Sequence, residues 1–255
     1  MLQQYAAVFD TVELNSSFYR PPEAGAILGL MKYTKRGFMF AAKVNRQFTH
    51  DLKLKLDAPD QERLENFLQL FDPLLTQDRL ACFLVQLPPS LKRCESLLEN
   101  FLAMLPHRYD YVVEFRHTSW MNDRTWKILA KYETAYCIVD EPLLTPELHV
   151  TSPISYIRWH GRGKGLWYDY RYTREELQQW VPRINEVSKN SGKTFGIFNN
   201  HFHGYAIENC LQMMKMLNIA TSTQERALNR VTAAIDRELL GLPKTGTLDQ
   251  FAREP

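Results

Sequence analysis

Cysteine is scarce in this chain and badly spaced for chemistry. Cys82, Cys94, Cys137 and Cys210 stand far apart, so the sequence carries no close pair of the kind that holds zinc or cycles redox. Three of the four fall in apolar runs or helix-like stretches, where a thiol behaves as a small hydrophobe. With no disulfide framework and no signal peptide, the expected compartment is a reducing cytoplasm. No apolar run approaches the ~20 residues that span a bilayer, so no membrane partner is expected. An excess of either charge is missing too: 31 Lys and Arg against 29 Asp and Glu leave a formal +2. So small an excess does not mark a nucleic-acid or membrane-surface protein, although a balanced total can conceal a local basic patch. No Gly-x-Gly-x-x-Gly turn follows the first strand-like run, which counts against a dinucleotide fold. No Ser-His-Asp or Cys-His arrangement is legible. The basic stretch Gly161-Arg162-Gly163-Lys164-Gly165 matches no phosphate-cradling motif.

What is present is a rhythm. Short apolar runs recur at Val12–Leu14, Phe38–Ala42, Ala81–Val85, Tyr111–Val113, Ala135–Val139, Ile154–Ile157 and Phe195–Phe198. Strands buried on both faces of a parallel sheet read this way. Helix-like segments separate them. Pro59 to Leu75 repeats apolar residues at Leu64, Phe67, Leu68 and Phe71. Thr173 with Glu176 is a capping-box signature for a helix to about Asn190, closed by Gly192, and Gly204 to Leu217 makes another. Seven alternations of strand and helix point to an α/β fold, a barrel or a doubly wound sheet, over residues 1–217. Residues 218–255 read as a C-terminal extension. Thr221 with Gln224 caps a helix bearing Leu228, Val231, Ile235 and Leu239, and a loose end runs from Pro243 to Pro255.

Almost every apolar run stops at a polar or charged residue: Glu13 and Asn15, Lys43, Gln86, Glu114 and Arg116, Asp140, Arg158 and His160, then Asn199-Asn200-His201. Side chains alternate along a strand, so Glu13 with Asn15, Glu114 with Arg116, and Arg158 with His160 share a face. In a barrel such residues line one pocket at the C-terminal strand ends, where active sites of that fold sit. The plainer reading is a buried ion-pair network that only closes the barrel.

Several segments resemble the YecE-like family, catalogued as a domain of unknown function. They are Thr11 to Arg20, Val113-Glu114-Phe115-Arg116-His117, Val139-Asp140-Glu141-Pro142, Tyr156 to Arg162 and Phe198-Asn199-Asn200, with Lys43 and Thr49-His50. The resemblance covers about residues 1–217. It implies a TIM-type (β/α) barrel and a loose likeness to sugar isomerases and metal-dependent barrel endonucleases. Family members usually open with a Gly-Thr-Ser-Gly-Trp-like strand and a helix, whereas Met1 here falls near the end of that helix. The expectation is that the usual first strand is missing, that the sequence starts downstream of the true start, and that the first and last visible strands carry unpaired edges. Alternatively, the segment from Ile219 to Pro255 or another chain covers the gap.

A metal centre needs at least three converging carboxylate or imidazole ligands. Glu13, Glu114, Asp140, His160 and His201 are candidates, but Lys43, Arg116, Arg158 and Arg162 in the same neighbourhood would repel a divalent ion and pair with the carboxylates. No metal and no other cofactor is therefore expected. The cations favour a small anionic partner gripped by Arg116, Arg158, Arg162 and Lys43, with Asn15, Asn199 and Asn200 orienting it. Glu13, Glu114, Asp140 or neutral His160 would supply the acid and base. Aromatics at the presumed mouth, Phe18, Tyr19, Trp120, Trp159, Trp167, Tyr168, Tyr170 and Tyr172, suit a sugar or base, or else pack the loop onto the barrel. His50, His107, His117, His149 and His203 read as loop or surface residues. The expectation is a hydrolase or isomerase acting on a sugar-like or phosphorylated anion. The alternatives are a nucleic-acid-binding barrel or phosphoesterase whose Arg20, Lys43, Arg46, Arg162 and Lys164 track a phosphate backbone, and a binding protein without catalysis.

Overall fold

The computed structural model describes residues 2–23 and 25–240, so the Pro243 to Pro255 end lies outside the described residues. The first half runs α1 (Leu2–Val8), β1 (Thr11–Leu14), α2 (Ser16–Tyr19), α3 (Ala26–Lys32), β2 (Met39–Lys43), α4 (Ala58–Gln69), α5 (Asp72–Leu75) and β3 (Leu80–Gln86). Next come α6 (Glu95–Met104), β4 (Tyr111–Glu114), α7 (Asp123–Lys131), β5 (Ala135–Asp140) and β6 (Ile154–Trp159). The last part is α8 (Arg174–Lys189), β7 (Lys193–Phe198), α9 (Tyr205–Met216) and α10 (Ser222–Leu239). The seven strands pair in parallel, each with its neighbour in sequence, in the order β1 to β7. They form a nearly closed α/β barrel. No pairing joins β7 back to β1 among the described residues, so each of these strands shows one unpaired edge there.

Two apolar layers follow from strand alternation. One set of side chains, including Phe40, Ala42, Phe83, Val85, Val113, Ile138, Ile157 and Trp159, packs outward with the helices. The other fills the lumen with small and medium groups: Ala41, Cys82, Leu84, Val112, Cys137, Val139, Tyr156 and Phe195. A barrel interior has room for little more than packed side chains, which explains alanine and cysteine at these positions. Cys82 and Cys137 are therefore core fillers, and burial pushes both thiols well up.

Local chemistry sets the helix ends. Thr173 and Thr221 both close capping boxes, with Glu176 and Gln224 reaching back to their backbone N–H groups. The segment expected as one helix from Pro59 to Leu75 is two, α4 and α5. Pro73 has no N–H to donate and its ring crowds the carbonyl four residues back, so the first helix ends before it. The connection from β5 to β6, residues 141–153, contains no helix. The C-terminal α10 lies outside the barrel against α9 and α1, burying Val231 and Ile235 beside Phe9, Tyr205 and Leu211. The Gln224 side chain donates to the Val8 carbonyl at 2.7 Å, tying this helix to the flank of the open seam. Between β1 and β7 a cleft of about 480 Å³ remains, lined by Tyr5, Thr11, Glu13, Trp159, Gly196 and Ile197 among others.

Candidate functional site

The lumen-facing row continues past each strand's C-terminal end. Two residues beyond the inward Ala41, Leu84, Val112, Val139 and Tyr156 stand Lys43, Gln86, Glu114, Glu141 and Arg158. Arg116 and His160 follow two further on, and Asn199 stands two beyond Ile197, which packs against the same inner cluster. Strand alternation thus delivers polar groups from β1 to β7 to one end of the barrel.

There they form a continuous hydrogen-bonded network. Arg158, 1 % exposed, bridges two carboxylates: its Nη2 donates to Glu13 Oε1 at 2.7 Å and its Nη1 to Glu114 Oε2 at 2.5 Å. Tyr156 OH and Asn15 Nδ2 donate to Glu13 at 2.8 and 3.0 Å. Glu114 also receives Gln86 Nε2 at 2.9 Å and Arg116 Nη1 at 2.9 Å. Lys43 Nζ donates to Gln86 Oε1 at 2.8 Å and rests over the Phe18 ring, 4.1 Å from its centroid. Burial alone would raise the Glu114 carboxyl, but Arg158 and the other cations over-compensate and hold it well below the usual range.

His160 completes the array. Its Nε2 lies 3.2 Å from Glu114 Oε1, and Asn199 Nδ2 lies 3.2 Å from its Nδ1. The shorter contacts set the tautomer: the Asn199 amide donates to Nδ1 and Nε2–H donates to the Glu114 carboxylate, while Arg116 and Arg158 Nη1 stand further off at 3.4 and 3.5 Å from Nε2. Burial lowers this histidine's pKa, and the network therefore holds a neutral imidazole of defined tautomer.

Not every expected residue joins. Asp140 points to the other face of β5: Arg162 grips it through Nε and Nη2 at 2.8 and 2.9 Å, and Trp180 Nε1 donates at 2.8 Å. That trio latches the 160–173 loop and α8 to the barrel. Asn200 uses its amide on the Tyr170 carbonyl and Asn209 Oδ1, both at 2.8 Å, a bond set that anchors the loop to α9. His201 is exposed. Of the aromatics, Tyr168 stands beside His160 with ring centroids 5.9 Å apart, and Trp167 lies beneath the Arg116 guanidinium at 5.5 Å. Trp120 is wholly buried, stacked on Phe115, and Trp159 is stacked on Phe198.

Three network members went unrecognised in the sequence: Tyr156, Gln86 as a bridge, and Glu141. Glu141 is the most unusual. Its carboxylate is fully buried, 3.2 Å from Arg116 Nη1, and neither oxygen has a well-formed hydrogen bond. Burial pushes its pKa up to about 7. Glu114, Glu141 and His160 also form the one group among the described residues whose potential metal-ligand atoms all lie within 4.8 Å of one another. Arg116 Nη1 already bridges the two carboxylates, and the third donor presents an N–H rather than a lone pair. This donor set suits a guanidinium better than a divalent ion.

The comparisons agree with this architecture. A family model described as "Protein of unknown function DUF72" matches residues 1–233. The Bacillus subtilis protein YunF is 27 % identical over 248 residues, spanning 87 % of this chain and 88 % of its own. The Escherichia coli K12 protein YecE is 30 % identical over 117 residues, 46 % of this chain and 41 % of its own. A crystal structure of a DUF72 family protein from Thermotoga maritima superposes with a TM-score of 0.77 at 33 % identity, covering 85 % of this chain and 88 % of that one. One from Enterococcus faecalis gives 0.77 at 24 %, covering 86 % and 94 %. No helix among the described residues is long and apolar enough to cross a membrane. With the family model spanning nearly the whole barrel, this chain belongs to the DUF72 family.

Proposed function

We propose that this protein is an enzyme that binds a small anionic, sugar-like or phosphorylated compound at the C-terminal mouth of the barrel and transfers protons there. One observation carries the reading. Arg116, 11 % exposed, commits only Nη1 to Glu114 and Glu141, and among the described residues its Nε and Nη2 take no hydrogen-bond partner. A guanidinium held on one edge by buried carboxylates presents its other edge as a fork for phosphate or carboxylate. Asn199 on His160 and Lys43 on Gln86 are further donors of the same network, and Trp167 and Tyr168 set ring faces beside Arg116 and His160. The deeper members, Glu13, Arg158 and Glu114, then act as the rigid base that orients Arg116 and His160. Glu141 and neutral His160 are the groups placed to take or give a proton.

The backbone-tracking alternative loses support because three of its five cations are already paired and a fourth, Lys43, is buried. Arg20 lies on Glu23, Arg46 on Asp51 and Arg162 on Asp140. A thermal-shift screen of phosphosugars and small acids tests the proposal. Stabilisation of the wild type that disappears in Arg116→Gln and persists in Arg46→Gln supports it. Equal responses in all three proteins, or none, refute it. Binding of DNA or RNA that weakens steeply with salt would favour the alternative.

A further inference from the structure

Lys43 is a buried amine without a counter-ion. It is 8 % exposed, and among the described residues no carboxylate comes within ion-pair distance of Nζ. Its partners are neutral: the Gln86 amide oxygen at 2.8 Å and the Phe18 ring. Buried lysines are usually paired, because an isolated ammonium is costly to desolvate. Burial at such a site raises the share of the uncharged amine, which is a nucleophile, above that of an exposed lysine.

We propose that Lys43 is an imine-forming residue, condensing with the carbonyl carbon of an anionic aldehyde or ketone seated at Arg116. This rests on the anion site proposed above and specifies its substrate class. The unprotonated Nζ attacks the carbonyl carbon, a C–N bond forms, and the carbonyl oxygen takes up a proton to give a carbinolamine. The C–O bond then breaks, the oxygen leaves as water with the protons shed by nitrogen, and a C=N bond remains. Amine plus carbonyl becomes imine plus water, with nothing oxidised or reduced, and hydrolysis reverses it.

The surrounding charges favour this chemistry. Burial is the largest influence and lowers Lys43 to about 8; Arg158 on β6 and Arg116 after β4 push the same way, while Glu114 and Glu13 oppose them. His50, from the 47–51 turn, also lies within electrostatic reach of Lys43, and its own pKa is lowered, so it adds little positive charge near neutrality. At pH 7.5 a lysine so placed has an uncharged fraction more than about a hundredfold above that of an ordinary one. Its lower basicity costs some intrinsic reactivity, so an excess of about tenfold in rate is the expected reading.

The experiment is reductive trapping of the intact protein with glyoxylate and cyanoborohydride, read by peptide mapping across pH 6 to 10. Lys43 should be labelled about tenfold faster at pH 7.5 than the exposed Lys53 and Lys55, with a rate that levels off above about pH 8 while theirs keeps climbing. Lys43→Arg should remove the fast site and leave the slow labelling of Lys53 and Lys55 unchanged. Labelling of Lys43 no faster than of Lys53, or without the plateau, overturns the imine. If phosphate still stabilises the wild type and not Arg116→Gln, the anion site stands without it. If phosphate and glyoxylate both leave the protein unaffected, the anion site falls as well.

Discussion

Replacing Arg158 by Met would leave Glu13 and Glu114 buried with too little compensating charge, since this one guanidinium bridges both. Removing one partner of a buried pair costs about 3–5 kcal/mol, and the loss should appear in urea unfolding. Adding Glu13→Gln and Glu114→Gln to that variant should recover part of it. A loss under about 1 kcal/mol would show that the pair is solvated rather than buried. Glu141 gives a signed pH effect. Its carboxyl is raised to about 7 from an ordinary 4.5, so the folded state holds this proton where the unfolded chain has released it. This group's penalty on stability is absent below about pH 4.5, grows as pH rises towards 7 and then stays, reaching about 3 kcal/mol at most. Glu141→Gln should therefore gain stability over the wild type at pH 8 and match it near pH 4.5, as followed by unfolding across that range. A constant difference would contradict the raised pKa. The contrast between Asp140 and Glu141 also shows where sequence reading reaches its limit. A strand covered on both faces is apolar at every position, so its pattern does not say which of two adjacent acids points into the lumen. The spacing of two from Val139 decides it, and that becomes visible only once the inward row is known.

Single elements were far more legible. Both capping boxes could be read directly, because a threonine three residues before a Glu or Gln is a local device that needs no tertiary partner. Thr221→Ala and Thr173→Ala should each cost about 1 kcal/mol, detected as small falls in Tm. Gly161 behaves differently. Its φ of +88° lies in the left-handed region, and an added Cβ would run into the Trp167 carbonyl oxygen. Its N–H also donates to Tyr172 OH at 3.0 Å. Gly161→Ala should therefore displace the loop that carries Trp167 and Tyr168, lowering both Tm and the thermal response to an anionic ligand, whereas Thr173→Ala should lower Tm alone. An unchanged ligand response in Gly161→Ala would remove this loop from the site.

At the scale of the whole molecule, the recurrence of buried strands with polar C-terminal ends made the barrel and the convergence of its polar residues legible. Depth was not. Sequence spacing brings charges to one end but does not separate Arg158, locked between two carboxylates, from Arg116, whose Nε and Nη2 take no hydrogen-bond partner among the described residues; that difference comes from how far past the strand each residue stands. The open seam is a second global feature. Deleting residues 218–255 should uncover Phe9, Tyr205 and Leu211 beside two unpaired strand edges, and the shortened protein should bind a hydrophobic dye and self-associate. The central claim is that polar groups from all seven strands converge on one mouth with an anion fork still open at Arg116. Calorimetric titration of the best phosphosugar from the screen tests it most directly. The account predicts about one equivalent bound to the wild type and at least about tenfold weaker binding to Arg116→Gln, measured at a temperature where both proteins are folded. Equal affinity in the two proteins would contradict it.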